Sequence, residues 1–233
     1  MRSRWVREVM ASTIEALPPH ADATRAAGAF AYMKGVAPFL GVSAPERRKA
    51  LRVAWAHLDS PTSDELGHAA QELMCLPERE YHYAAYDLID RYRRAAEESF
   101  LRTYAAELLT TTPWWDTVDG LVSAMVSPLM RIWHEDALMD QWSASEDRWL
   151  IRAAIGHQRG WKDATDVDRV LELCDAHWAQ REFFIAKAIG WALRDLARID
   201  PLAVSEFLAE HSADNRVAIR EAQRGLQSTA AVR

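Results

Sequence analysis

Cysteine is nearly absent from this chain: two in 233 residues, Cys75 and Cys174. So few exclude a disulfide framework and a four-cysteine zinc site, and they suit a reducing, cytoplasmic setting. Glycine and proline are scarce as well, nine of each. That is below the roughly 12% of average usage, which argues against a turn-rich β-sandwich or barrel. No apolar run approaches the about 18 residues of a membrane span, so no membrane contact is expected. Charges in the opening MRSRWVREVM interrupt what a secretory signal would need as its apolar core. Cys174 and His177 have a ligand-like spacing but no second pair to complete a site, and HExxH, GxSxG and P-loop patterns are all missing. The expectation is a protein without metal or cofactor. Basic residues are outnumbered, 28 Lys and Arg against 34 Asp and Glu, for a net charge of −6. A nucleic-acid binder of that charge must gather its cations onto one face.

What the chain does have is ten tryptophans and an internal repeat. Sliding the sequence against itself by 34 residues aligns Trp149, Phe183 and Val217, then Ile151, Ile185 and Ile219, then Ala154, Ala188 and Ala222. One step back, Trp115 meets Trp149 and Gly120 meets Ala154. A bulky residue followed by a small one recurs, and the period holds two short helices with their turns. The pattern predicts an all-α protein, an α-solenoid of stacked HEAT-like helix pairs with a concave surface. It forms one domain over residues 1–226, with a polar, frayed tail over 227–233. Thr112-Pro113 reads as a cap with proline opening a helix, and Ser145 as the entry to the helix that Gly160 ends.

Two patterns could carry function. In TTPWWDTVDG, residues 111–120, Trp115 and Asp119 are four apart just inside a helix start, so an indole and a carboxylate share one face. The plainer alternative is that Asp116 and Asp119 complement the helix dipole while the tryptophans fill core. Further on, Lys187, Trp191, Arg194 and Arg198 fall within about 60° of one another on a helical projection, a basic stripe with an indole in it. Arg148, Arg152 and Arg159 form a second stripe one repeat earlier, and Arg216 and Arg220 a third. One charge stripe is ordinarily a solvated face; three in successive repeats would supply a groove for phosphates.

The segments FAYMKGVAPFLGVSAPERR (30–48), LPEREYHYAAYDLI (76–89), PWWDTVDG (113–120), RWLIRAAI (148–155), REFFIAKAIGWALRDLA (181–197) and REA (220–222) resemble, in order and spacing, the AlkD-like DNA alkylation-repair glycosylases. The resemblance runs from about Phe30 to Leu226. It implies excision of cationic alkylated purines, chiefly N3-alkyladenine and N7-alkylguanine, from duplex DNA, by a monofunctional, monomeric enzyme that leaves the base largely stacked. Residue by residue, it implies Asp119 as the catalytic carboxylate, Trp115 and Trp191 as sugar-facing indoles, and Arg152 as a phosphate contact. Arg148, Arg194, Lys187, Arg159 and Tyr32 are further expected DNA contacts. Two other readings fit the same pattern: a non-catalytic binder of distorted or branched DNA, and a solenoid that binds protein. The joint presence of Trp115, Asp119, Arg152 and Trp191 favours the enzyme.

Overall fold

The structure is a computed structural model that describes residues 2–211 and 213–230, and among these every regular element is helical. The chain divides into two compact units, Met1–Met125 and Val126–Arg233. The first contains α1 (Arg4–Ala16), α2 (Ala23–Tyr32), α3 (Ala44–Ala54), α4 (Ser63–Met74), α5 (Arg79–Tyr92), α6 (Ala106–Thr110) and α7 (Trp115–Leu121). The second contains α8 (Ser127–Trp133), α9 (Asp136–Ser143), α10 (Arg148–Ile155), α11 (Val167–Ala176), α12 (Phe183–Leu196), α13 (Pro201–Glu210) and α14 (Arg216–Ala230).

Local sequence explains where these helices begin. Ser43 and Glu46 form a reciprocal capping box ahead of α3, and Thr62 and Glu65 repeat it ahead of α4. Asp147, Asp166, Glu182 and Asp200 each accept backbone N–H bonds as caps of α10, α11, α12 and α13. Ser145 therefore stands two residues before the cap of α10: its hydroxyl accepts the Asp147 N–H at 2.9 Å, and the aspartate is the cap itself. The helix also stops at Ile155, with Gly160 at φ +84° closing the turns beyond it.

Packing follows the 34-residue register. The Ser63 hydroxyl accepts the Glu97 N–H, the Trp161 indole donates to the Ser127 carbonyl, and Ser143 bonds His177, each pair 34 apart. Arg148 with Glu182 and Lys187 with Glu221 pair at the same separation. Within each unit, these equivalent positions of successive repeats therefore stack on one another. In the second unit much of the register becomes core, since Ile151, Ile155, Ile185, Ala188, Ile189 and Ala222 belong to one buried cluster, whereas Phe183 is 54% exposed. In the first unit Leu66, Leu73, Leu88 and Ile89 are fully buried between α4 and α5, each contributing about 1.5–3 kcal/mol. The tail expected from residue 227 begins as helix: α14 continues to Ala230, and the Thr229 hydroxyl donates to the Ala197 and Gly225 carbonyls. Residues 231–233 lie outside the described residues.

The tryptophans split between core and site. Trp5, Trp55, Trp142, Trp149, Trp161 and Trp178 are buried, Trp133 is exposed, and Trp114, Trp115 and Trp191 are half-buried.

Candidate nucleic-acid interface

In the first unit α7 carries Trp115 and Asp119, both half-buried, one turn apart on the same face. The Tyr32 ring, 70% exposed at the end of α2, meets the Trp115 indole edge-on, centroids 6.3 Å apart and planes at 82°. This contact brings Tyr32 to the candidate carboxylate's helix.

The start of α7 differs from the cap read in Thr112-Pro113. Thr112 has φ +46°, the helix begins only at Trp115, and the Thr117 hydroxyl accepts the Trp114 N–H and donates to its carbonyl. What holds this turn is Arg79, at the start of α5 and 1% exposed. Its guanidinium donates to the Thr112 carbonyl at 2.7 Å, to the Asp116 carboxylate at 2.6 and 3.0 Å, and to the Thr117 hydroxyl at 3.1 Å. One side chain thus ties together the loop and the first turn. Tyr83 also donates to Asp116, and burial followed by the Asp116 charge pushes its phenol well above the usual range. Asp116, in the first turn of α7, is thus the partner of a buried arginine, an ion pair added to the helix-dipole role that the sequence offers for it. His82 completes the network: burial, its main influence, pushes the imidazole below its ordinary value, and its Nε2 lies 2.7 Å from the Leu76 carbonyl.

Two further contacts set the surroundings of α7. A Cβ on Gly120 would sit 2.5 Å from the Tyr86 ring, so only glycine lets α5 and α7 approach here. Glu80, next to Arg79, accepts the N–H groups of Leu40, Gly41 and Val42 at 2.8–3.0 Å and so fixes the loop that follows α2.

In the second unit the predicted cations converge on one ring. Arg152 from α10, Arg159 just beyond it, and Lys187 and Arg194 from α12 lie 4.9, 5.4, 5.8 and 6.0 Å from the Trp191 centroid. Such contacts attract each cation to the indole face and hold it in place. Arg152 is 3% exposed, with Nη1 donating to the Phe184 carbonyl at 2.6 Å, while Arg159 is exposed. Arg148 does not join this cluster. It lies over Trp149 and Phe184 and pairs with Glu182 at 3.4 Å.

Sequence reasoning missed Glu221, a buried carboxylate on α14 that accepts from Lys187 at 2.8 Å, Arg194 at 3.1 Å and Arg224 at 3.0 Å. The signal was available, because the 34-residue slide places Glu221 opposite Lys187. The metal-like spacing of Cys174 and His177 has a structural explanation. Burial pushes the Cys174 thiol far up, and His177 bonds Ser143 and Gln180.

The family model described as DNA alkylation repair enzyme matches residues 13–226. A solved structure described as a predicted DNA alkylation repair enzyme from Enterococcus faecalis is similar to this chain. It has a TM-score of 0.78 and 27% identity, covering 87% of this chain and 95% of that one. A search of curated proteins finds no match. Among the described residues no helix is long and apolar enough to cross a membrane.

Proposed function

Because this chain belongs to the DNA alkylation repair enzyme family, we propose that it is a monofunctional glycosylase that hydrolyses the N-glycosidic bond of cationic alkylated purines in duplex DNA. N3-alkyladenine and N7-alkylguanine are the substrates. The observation that carries the reading is the gathering of Arg152, Arg159, Lys187 and Arg194 around Trp191. It supports the segregation of cations that a chain of net charge −6 needs in order to hold a polyanion, with Arg159 exposed, Lys187 and Arg194 half-buried, and Arg152 buried in the same cluster.

The chemistry follows from the leaving group. An N3- or N7-alkylpurine already bears positive charge, so the bond from C1′ to the purine nitrogen breaks with its electron pair passing to the base, and no acid is needed. Positive charge builds on the deoxyribose instead, as in other glycosidic cleavages. Asp119 supplies the complementary anion, orients the attacking water and receives its proton. Water oxygen bonds to C1′, leaving an abasic site and a free neutral purine. A carboxylate held at that point contributes on the order of 3 kcal/mol, or about a hundredfold in rate. Trp115, one turn before Asp119, offers its electron-rich face to the sugar for about 0.5–2 kcal/mol, the role that the resemblance also implies for Trp191. Neutral bases such as uracil, hypoxanthine and 8-oxoguanine require protonation to depart and are poor substrates. The grip falls on the phosphate backbone and the lesion stays largely stacked, so selectivity comes from bond lability rather than from a base pocket.

Asp119→Asn is the test. The variant binds duplex DNA as wild type does, while its release of 7-methylguanine from methylated DNA, followed by chromatography, slows on the order of a hundredfold. Release at the wild-type rate would remove Asp119 from the chemistry. A wild-type protein that binds duplex or branched DNA tightly yet frees no purine would be the non-catalytic binder.

A further inference from the structure

Two of the four cations around Trp191 share a second partner. Lys187 and Arg194 lie two turns apart on α12, and both reach the Glu221 carboxylate on α14. One carboxylate oxygen takes Lys187 and Arg224, and the other takes Arg194. Glu221 is 1% exposed. Burial alone would push it toward protonation, but the hydrogen bond and charge of Lys187, with the charges of Arg224 and Arg194, outweigh this and hold the carboxyl below its usual range.

The helix packing puts the carboxylate there. A Cβ on Gly190 would come within 2.8 Å of the Glu221 Cβ and 3.0 Å of the Ala218 Cα. A Cβ on Gly225 would come within 2.7 Å of the Arg194 carbonyl oxygen. Both glycines therefore permit a close approach of α12 and α14 that sets Glu221 beneath the two cations.

An acid in a DNA site is a paradox on charge alone, since it cancels one cation. Lysine and arginine have long stems with many rotamers, and immobilising them at the moment of binding is unfavourable. A buried anion that holds them beforehand removes that cost. We infer that Glu221 is a positioning residue of the DNA site, fixing Lys187 and Arg194 against Trp191 so that they meet the phosphate backbone already ordered. This rests on the reading of the Trp191 cluster as the DNA grip.

The two effects of Glu221 have opposite signs in Glu221→Gln, which removes the charge but keeps the shape. If the carboxylate only dilutes the basic site, the variant binds DNA more tightly, with a steeper salt dependence. If it positions the cations, binding of an undamaged mixed-sequence duplex weakens roughly tenfold at matched salt, and the slope of log K against log salt falls by about one. The loss then lies in KM rather than in the rate at saturating lesion DNA. Glu221→Asp, which keeps the charge but withdraws it by one methylene, also weakens binding. It decides the matter should the glutamine variant fail to fold by circular dichroism. Folded variants that bind as tightly as wild type, or more tightly, overturn the inference. A wild-type protein that fails to bind duplex DNA at low salt overturns the reading beneath it instead.

Discussion

Arg79 shows how much one side chain can determine. It is buried at 1% exposure and donates to the Thr112 carbonyl, the Asp116 carboxylate and the Thr117 hydroxyl. Removing it strands an interior anion at the root of the helix that carries Trp115 and Asp119. Arg79→Met is expected to cost about 3–5 kcal/mol of stability, read as a lower denaturation midpoint. A cost below about 1 kcal/mol would mean that Asp116 finds water instead. This arginine was not legible in the sequence. It sits in an ordinary amphipathic run, and its partners lie 33 to 38 residues away, where no local pattern points. Trp191 was legible, because a basic stripe interrupted by an indole is a local pattern that period 3.6 reveals. Its convergence with Arg159 came from the turns after α10, which periodicity does not describe.

For the helices as elements, the contrast between two glycines is informative. Gly28 in α2 has nothing within 4 Å of an added Cβ, whereas Gly225 in α14 has the Arg194 backbone at 2.7 Å. Gly28→Ala is therefore expected to raise the melting temperature, by about 0.5–1 kcal/mol in stability, through a stiffer unfolded chain. Gly225→Ala forces α14 away from α12, costs about 1–3 kcal/mol and weakens duplex binding through Glu221. Equal effects from the two substitutions would show that the α12 and α14 contact yields easily. The helical class was legible in the scarce glycine and proline and in the 34-residue repeat, as were the helices that hold Trp115, Arg152 and Trp191. The starts of α7 and α10 were not. Thr112 adopts a left-handed backbone that Arg79 stabilises from another helix, and Asp147 takes the capping role nearer the helix than Ser145.

Across the whole molecule, three interior histidines link stability to pH. His82, His157 and His177 are at most 5% exposed, and burial pushes each below the ordinary imidazole value. The unfolded chain takes up protons at these sites below about pH 6.5, while the folded chain resists. Their full contribution is present above that pH and erodes as it falls toward their folded values. Melting temperature should be level from about pH 8 to 7 and decline by about pH 5.5, before the carboxylates protonate. A flat profile down to that point would show that folding does not change how readily these rings take up a proton.

The spacing of the stacked pairs also governs assembly of the chain during synthesis. Ser63 with Glu97, Ser127 with Trp161 and Lys187 with Glu221 each span 34 residues, so a pairing can close once the following repeat has emerged from the ribosome. Among the described residues no strand has to wait for a distant mate. Such a polypeptide can lock in order from its first turns to its last, limiting the time its indole-rich interior stands open to sticky encounters.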